Sequence, residues 1–92
     1  MKPERAEQIA ILALTWLASK DEILLVFLGA SGASADDLIG QAENPAFLGS
    51  VLEFVTMDDA WVVEFCDQNQ LKYEEPLRAH YSLPGAEAVH WT

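Results

Sequence analysis

Four acidic pairs divide this chain: Asp21-Glu22, Asp36-Asp37, Asp58-Asp59 and Glu74-Glu75. Each stands at the head of a segment that can be read as a helix. Carboxylates at a helix start accept hydrogen bonds from free backbone N–H groups and meet the positive end of the helix dipole. Repeated four times, the pattern predicts a chain of short helices with little room for a sheet.

The segments between the pairs support this. Pro3 and Glu4 suit a first helical turn. Ile9, Leu12, Ala13, Trp16 and Leu17 then recur at helical spacing, which predicts a helix over residues 3–20. Asp21 reads as the next N-cap. Residues 23–28 are apolar all round, and Gly29 reads as their stop. Periodicity alone does not separate a buried helix from a buried strand here. The lack of a partner strand or hairpin turn favours the helix. Ser34 with Asp37 resembles a capping box for a short helix reaching about residue 43. Asn44-Pro45 reads as a cap followed by proline at the first helical position. Phe47, Leu48, Val51, Leu52, Phe54 and Val55 give the helix after it a wide apolar face. A further helix begins at Asp58-Asp59 and carries Trp61, Val62, Phe65 and Cys66 on one side. The last spans about residues 73–81, before Leu83-Pro84-Gly85 breaks it.

The expected fold is all-α: one domain over residues 1–92, a compact irregular bundle of five or six short helices with a C-terminal tail at 83–92. The segments 22–28, 45–56 and 59–69 are expected at its centre. A weak internal repeat at an offset of 38 aligns residues 23–27 with 61–65 and Asp36-Asp37 with Glu74-Glu75. Two pseudo-repeated helix pairs would follow from it.

Charge removes several functional classes. Fifteen Asp and Glu face five Lys and Arg, for a net charge of −10. Lys2, Arg5, Lys20, Lys72 and Arg78 read as scattered, and binding to phosphates needs clustered cations. Direct contact with nucleic acid is not expected, nor with an anionic membrane surface. A helix-turn-helix traced through 22–43 would present Asp36, Asp37 and Glu43 to the major groove, which is the wrong charge. The apolar run 23–28 is far too short to cross a bilayer. Glu4 and Glu7 interrupt any basic leader region, and no small-residue cleavage site follows, so no secretory signal is read. One cysteine, Cys66, allows no intrachain disulfide and fits a reducing cytoplasm.

No catalytic set emerges. The acidic pairs could bind a divalent cation, but helix capping explains all four at once, and no Asp-rich calcium loop is present. Cys66 lies on an apolar helix face beside Asp67, which would raise rather than lower its pKa. A small buried hydrophobe is the better reading. His80 and His90 are too few for a structural zinc site, and His80 is expected on the surface of its helix. The serines fit no nucleophile elbow, and Gly29 and Gly32 lack the lysine of a phosphate loop. No cofactor or metal is expected.

The run Asn44-Pro45-Ala46-Phe47-Leu48 with Val51-Leu52-Glu53-Phe54, followed by Asp58-Asp59-Ala60 and Phe65, resembles a small alphaproteobacterial family classed as a domain of unknown function. Residues 32–38 resemble the Gly-Leu-Asp-Pro-x-x-Leu element of its members. Residues 70–76 match less closely, since Pro76 replaces a leucine. Leu83-Pro84-Gly85 with His90-Trp91 is similar to the family's tail. The resemblance implies an all-helical fold and brings no activity or site with it.

What remains is apolar surface. The runs 23–28 and 47–55 offer more than short helices usually need, so they form the bundle's centre or leave a face for another chain. Trp91, beside His90, has no helix of its own and either folds back or anchors a partner. The expected function is a non-catalytic interaction or regulatory module binding another protein or itself. The alternative is a small-molecule-binding protein or enzyme with a pocket between helices.

Overall fold

The computed structural model describes residues 1–32 and 34–83, with the backbone alone at positions 35, 37 and 39. Six helices form among them: α1 (Pro3–Ala18), α2 (Asp21–Ser31), α3 (Ala35–Gly40), α4 (Pro45–Val55), α5 (Asp59–Asn69) and α6 (Glu75–Ser82). There is no strand among the described residues. The all-α expectation holds, and the run 23–28 is helix.

The helix starts follow local chemistry. Asn44 Oδ1 accepts from the Ala46 N–H at 3.0 Å, with Pro45 at the first helical position. Asp58 Oδ1 accepts from Ala60 N at 2.9 Å and Trp61 N at 3.3 Å. Ahead of α6 the Glu75 carboxylate accepts from Lys72 N at 2.7 Å. Asp21 departs from expectation. Lys20 occupies the N-cap position without a side-chain bond, and Asp21 lies in the first turn of α2.

Gly29 does not end α2. The helix continues to Ser31 and closes on Gly32, whose φ of 75° is the left-handed conformation glycine adopts freely. Gln70 closes α5 in the same region at φ 54°. Thus α2 and α5 have equal length, lie 38 residues apart in sequence and end in left-handed caps, matching the offset of the sequence repeat.

The centre of the bundle is α1. Ala6, Ile9, Ala10, Ala13, Leu14, Trp16 and Leu17 form a buried stripe, and the alanines allow neighbouring helices to approach closely. Helix α1 packs on α6 and α4, and also touches α2 and α5, while α4 packs on α6. The expectation that residues 22–28 are central is therefore corrected. Of α2 only Phe27 is fully buried, while Leu25 is 69% exposed and Val26 56%. Helix α1 is the longest and has small residues on its inward face, so it takes the axial position. The all-apolar helix is left at the edge.

Candidate functional site

Helices α2 and α4 meet through their aromatic rings. The Phe27 ring lies 5.9 Å from Phe47 and 5.2 Å from Phe54, both edge-on. Phe54 in turn lies 5.0 Å from Trp61 of α5. Edge-to-face packing at these separations is favourable. Above the rings a groove of about 240 Å³ opens, lined by Phe27, Ala30 and Ser31 from α2 and by Ser50, Glu53, Phe54 and Met57 from α4 and the turn after it. The rim is apolar too. Met57 is 76% exposed, and Val26 lies one turn before Ala30 on the same side of α2.

Charge along the stretch that forms this groove is one-sided. Between positions 21 and 71 the chain has ten acidic residues and no Lys or Arg. All five cations lie in residues 1–20 and 72–78, and across 1–20 and 72–92 five acids balance them. The net charge of the protein thus belongs wholly to the stretch that forms α2 to α5. The five cations are not scattered but confined to the two ends. Lys20 reaches Glu64 at 3.0 Å, and Arg5 reaches Glu75 at 3.7 Å, between α1 and α6. Among the described residues, Glu53 is the one charged residue lining the groove.

A second, smaller hollow of about 180 Å³ lies between α1 and α5, lined by Leu12, Thr15, Trp16, Ser19, Gln68 and Asn69. It gathers hydroxyls and amides but no titratable side chain.

Two of the residues singled out from sequence, Cys66 and His80, are buried. Cys66 is fully buried, with Sγ 3.5 Å from the Lys72 carbonyl oxygen. Burial first, then the charges of Glu75, Asp67 and Glu74, pushes its thiol from 9.0 up to about 11, the opposite of nucleophile activation. His80 is not on the surface as expected but only 6% exposed. Pro76, Ala79 and His80 share one face of α6, which packs on α1 and α4, and the buried Leu83 follows at the helix end. The His80 ring lies 5.3 Å from that of Tyr81, tilted by 47°, and its Nδ1 has no hydrogen-bond partner among the described residues. The interaction residues expected in the tail, His90 and Trp91, lie outside the described residues. Among the described residues no group of three or more His, Cys, Asp and Glu could hold a metal ion, and no helix is long and apolar enough to cross a membrane.

Sequence reasoning placed 22–28 at the centre while leaving open an exposed face on 23–28 or 47–55, but it did not show that α2 and α4 would meet to form a groove. Two signals were available. The run 23–28 has no polar face to turn outward, so any edge position must expose apolar side chains. The missing cations between 21 and 71 mark the same part of the chain.

The fold and surface define a small, acidic, all-helical domain with an apolar groove between two helices. Residues 3–86 match the family described as "Protein of unknown function (DUF3572)", and the chain belongs to that family. Neither curated proteins nor solved structures gave a match.

Proposed function

We propose that this domain is a non-catalytic protein-interaction module that holds a partner in the α2–α4 groove. The observation that carries the reading is the outward face of α2. Leu25 and Val26 are largely exposed on a helix without a charged residue from Ile23 to Ser31. Val26, one turn before Ala30, borders the ring-floored groove and its exposed Met57, while Leu25 stands on the opposite side of the helix from Phe27 and extends the apolar surface without lining the groove. Exposed apolar clusters on small soluble domains mark binding surfaces. Aromatic floors with adaptable methionine rims accommodate apolar side chains of a partner.

The size of this groove favours side chains of a partner over an enclosed small molecule. Pockets that enclose drug-sized ligands usually span about 300–1,000 Å³. The groove at about 240 Å³ is smaller and has, among the described residues, one charged residue, Glu53. It suits a few side chains of a larger partner. A cytoplasmic location belongs to the same proposal, supported by a single buried thiol that needs no oxidising compartment.

Affinity capture from the native cell extract tests this, with wild type beside Val26→Asp and Met57→Asp. Both positions are exposed, so circular dichroism should show an unchanged helical fold. A stoichiometric partner retained by wild type and lost by both variants is expected. Retention by both variants, or recovery of the bait alone, would sink the groove reading. Truncation after Leu83 is expected to leave capture intact; loss on truncation alone would transfer the role to the Trp91 tail.

A further inference from the structure

We infer that the occupant of the α2–α4 groove is a cationic amphipathic segment of another protein: bulky apolar side chains seated in the groove, flanked by Lys or Arg. The inference rests on the interaction reading above and adds the chemistry of the partner. Its first ground is shape. Helices α2 and α4 are bridged by the rings of Phe27, Phe47 and Phe54, which leaves a furrow between two helices. An amphipathic helix laying apolar side chains into such a furrow is a recurrent recognition mode.

Its second ground is charge complementarity. Glu53 stands in the groove wall. Glu22 lies on the outward side of α2, one turn before Leu25 and Val26. Asp58 and Asp59 follow Met57 directly, and no Lys or Arg occurs anywhere from residue 21 to residue 71. The charged residues that line the groove or adjoin it along α2 and after Met57 are thus carboxylates, which favours a cationic partner. Complementary charge speeds encounter and fixes orientation, while like charge at close range excludes wrong partners. A second copy of the chain is disfavoured on the same ground. A twofold interface sets the same patch against itself. Glu22 and Glu53 of one copy would then face the carboxylates of the other. Anionic lipid and nucleic acid are repelled likewise.

The experiment uses the full chain and a displayed library of amphipathic helical peptides, their flanking positions randomised among Lys, Glu and Gln. Selection is expected to enrich Lys flanks. The recovered peptides should bind roughly tenfold more weakly to Met57→Asp, the loss of one well-placed apolar contact. Their binding should also weaken with added salt. The double variant Glu22→Lys with Glu53→Lys is expected to reverse the preference towards Glu flanks. Enrichment of Glu or Gln flanks by wild type, still lost on Met57→Asp, would overturn the cationic partner and leave the interaction reading intact. Failure to recover any groove-dependent peptide would overturn both. Sedimentation showing a wild-type dimer that Met57→Asp dissociates would replace the partner with a second copy.

Discussion

The indole Nε1 of Trp16 donates to Glu64 Oε2 at 3.1 Å, which ties α1 to α5, and the same carboxylate oxygen takes Lys20 Nζ at 3.0 Å. Trp16 is only 3% exposed, so its N–H depends on that carboxylate. Removing the acceptor of a buried donor costs about 1–3 kcal/mol. The Glu64 side chain is 43% exposed and water can reach the site, so the lower half of that range applies. Glu64→Ala is expected to lower unfolding free energy by about 1–1.5 kcal/mol. Glu64→Gln keeps an acceptor and loses only the ion pair, worth under about 1 kcal/mol. Urea titration followed by circular dichroism ranks the three proteins, and equal midpoints for wild type and Glu64→Ala would refute the assignment.

Gly29 within α2 and Gly32 at its C-cap should respond to alanine with opposite sign. Gly29 lies inside the helix, and a Cβ placed there meets nothing within 4 Å. Gly29→Ala is therefore expected to stabilise the protein by about 0.5–1 kcal/mol. Gly32 holds φ 75° at the helix end. Gly32→Ala forces a Cβ into the left-handed region and is expected to cost about 1–2 kcal/mol. Thermal unfolding midpoints that move in the same direction for both variants would contradict this account of the helix end.

The same pair shows where the sequence was legible and where it was not. Asn44-Pro45 and Asp58 announced their helices because a cap is local, made within two or three residues. Gly29 misled because glycine permits a helix stop without requiring one. What ended α2 was the left-handed turn at Gly32, which the apolar content of 23–28 does not encode. His80 was misplaced for a different reason. Its surroundings on α6 are polar, and only the packing of Pro76 and Ala79 on α1 and α4 turns it inward. The choice of axial helix was likewise tertiary. The alanines of α1 give a lower apolar density than residues 23–28, yet they let neighbours approach closely. The groove follows from that choice, so it could not be read from α2 by itself. Its charge could, from the spacing of Lys and Arg along the chain.

Phe27 and Leu25 lie two residues apart on α2 and should differ sharply in what they contribute. Phe27 is 2% exposed and carries the ring contacts to Phe47 and Phe54. Phe27→Ala removes a buried ring and leaves a cavity, an expected loss of about 3–5 kcal/mol. Domains of this kind have about 5–15 kcal/mol in total, so the variant should be partly unfolded on modest warming. Leu25 is 69% exposed. Leu25→Ser is expected to change stability by no more than about 0.5 kcal/mol. A large loss of stability in Leu25→Ser would mean that this face is packed, not offered.

Cys66 supplies the pH prediction. Its folded-state pKa is raised from 9.0 to about 11, chiefly by burial and then by Glu75, Asp67 and Glu74. The folded protein therefore holds the thiol proton over a range where the unfolded chain has released it. Stability from this group is complete below about pH 9 and is lost as pH rises towards 11, with a slope of at most about 1.4 kcal/mol per pH unit. Other groups titrate in the same range, so the comparison is with Cys66→Ala. Its core defect should be nearly constant with pH, and the gap to wild type should narrow between pH 9 and 11. A gap of constant size would show that the thiol titrates alike in both states. In native protein at neutral pH a disulfide reagent should label Cys66 only as fast as the domain opens, and at the full rate in denaturant; rapid labelling of the native state would place Cys66 at the surface.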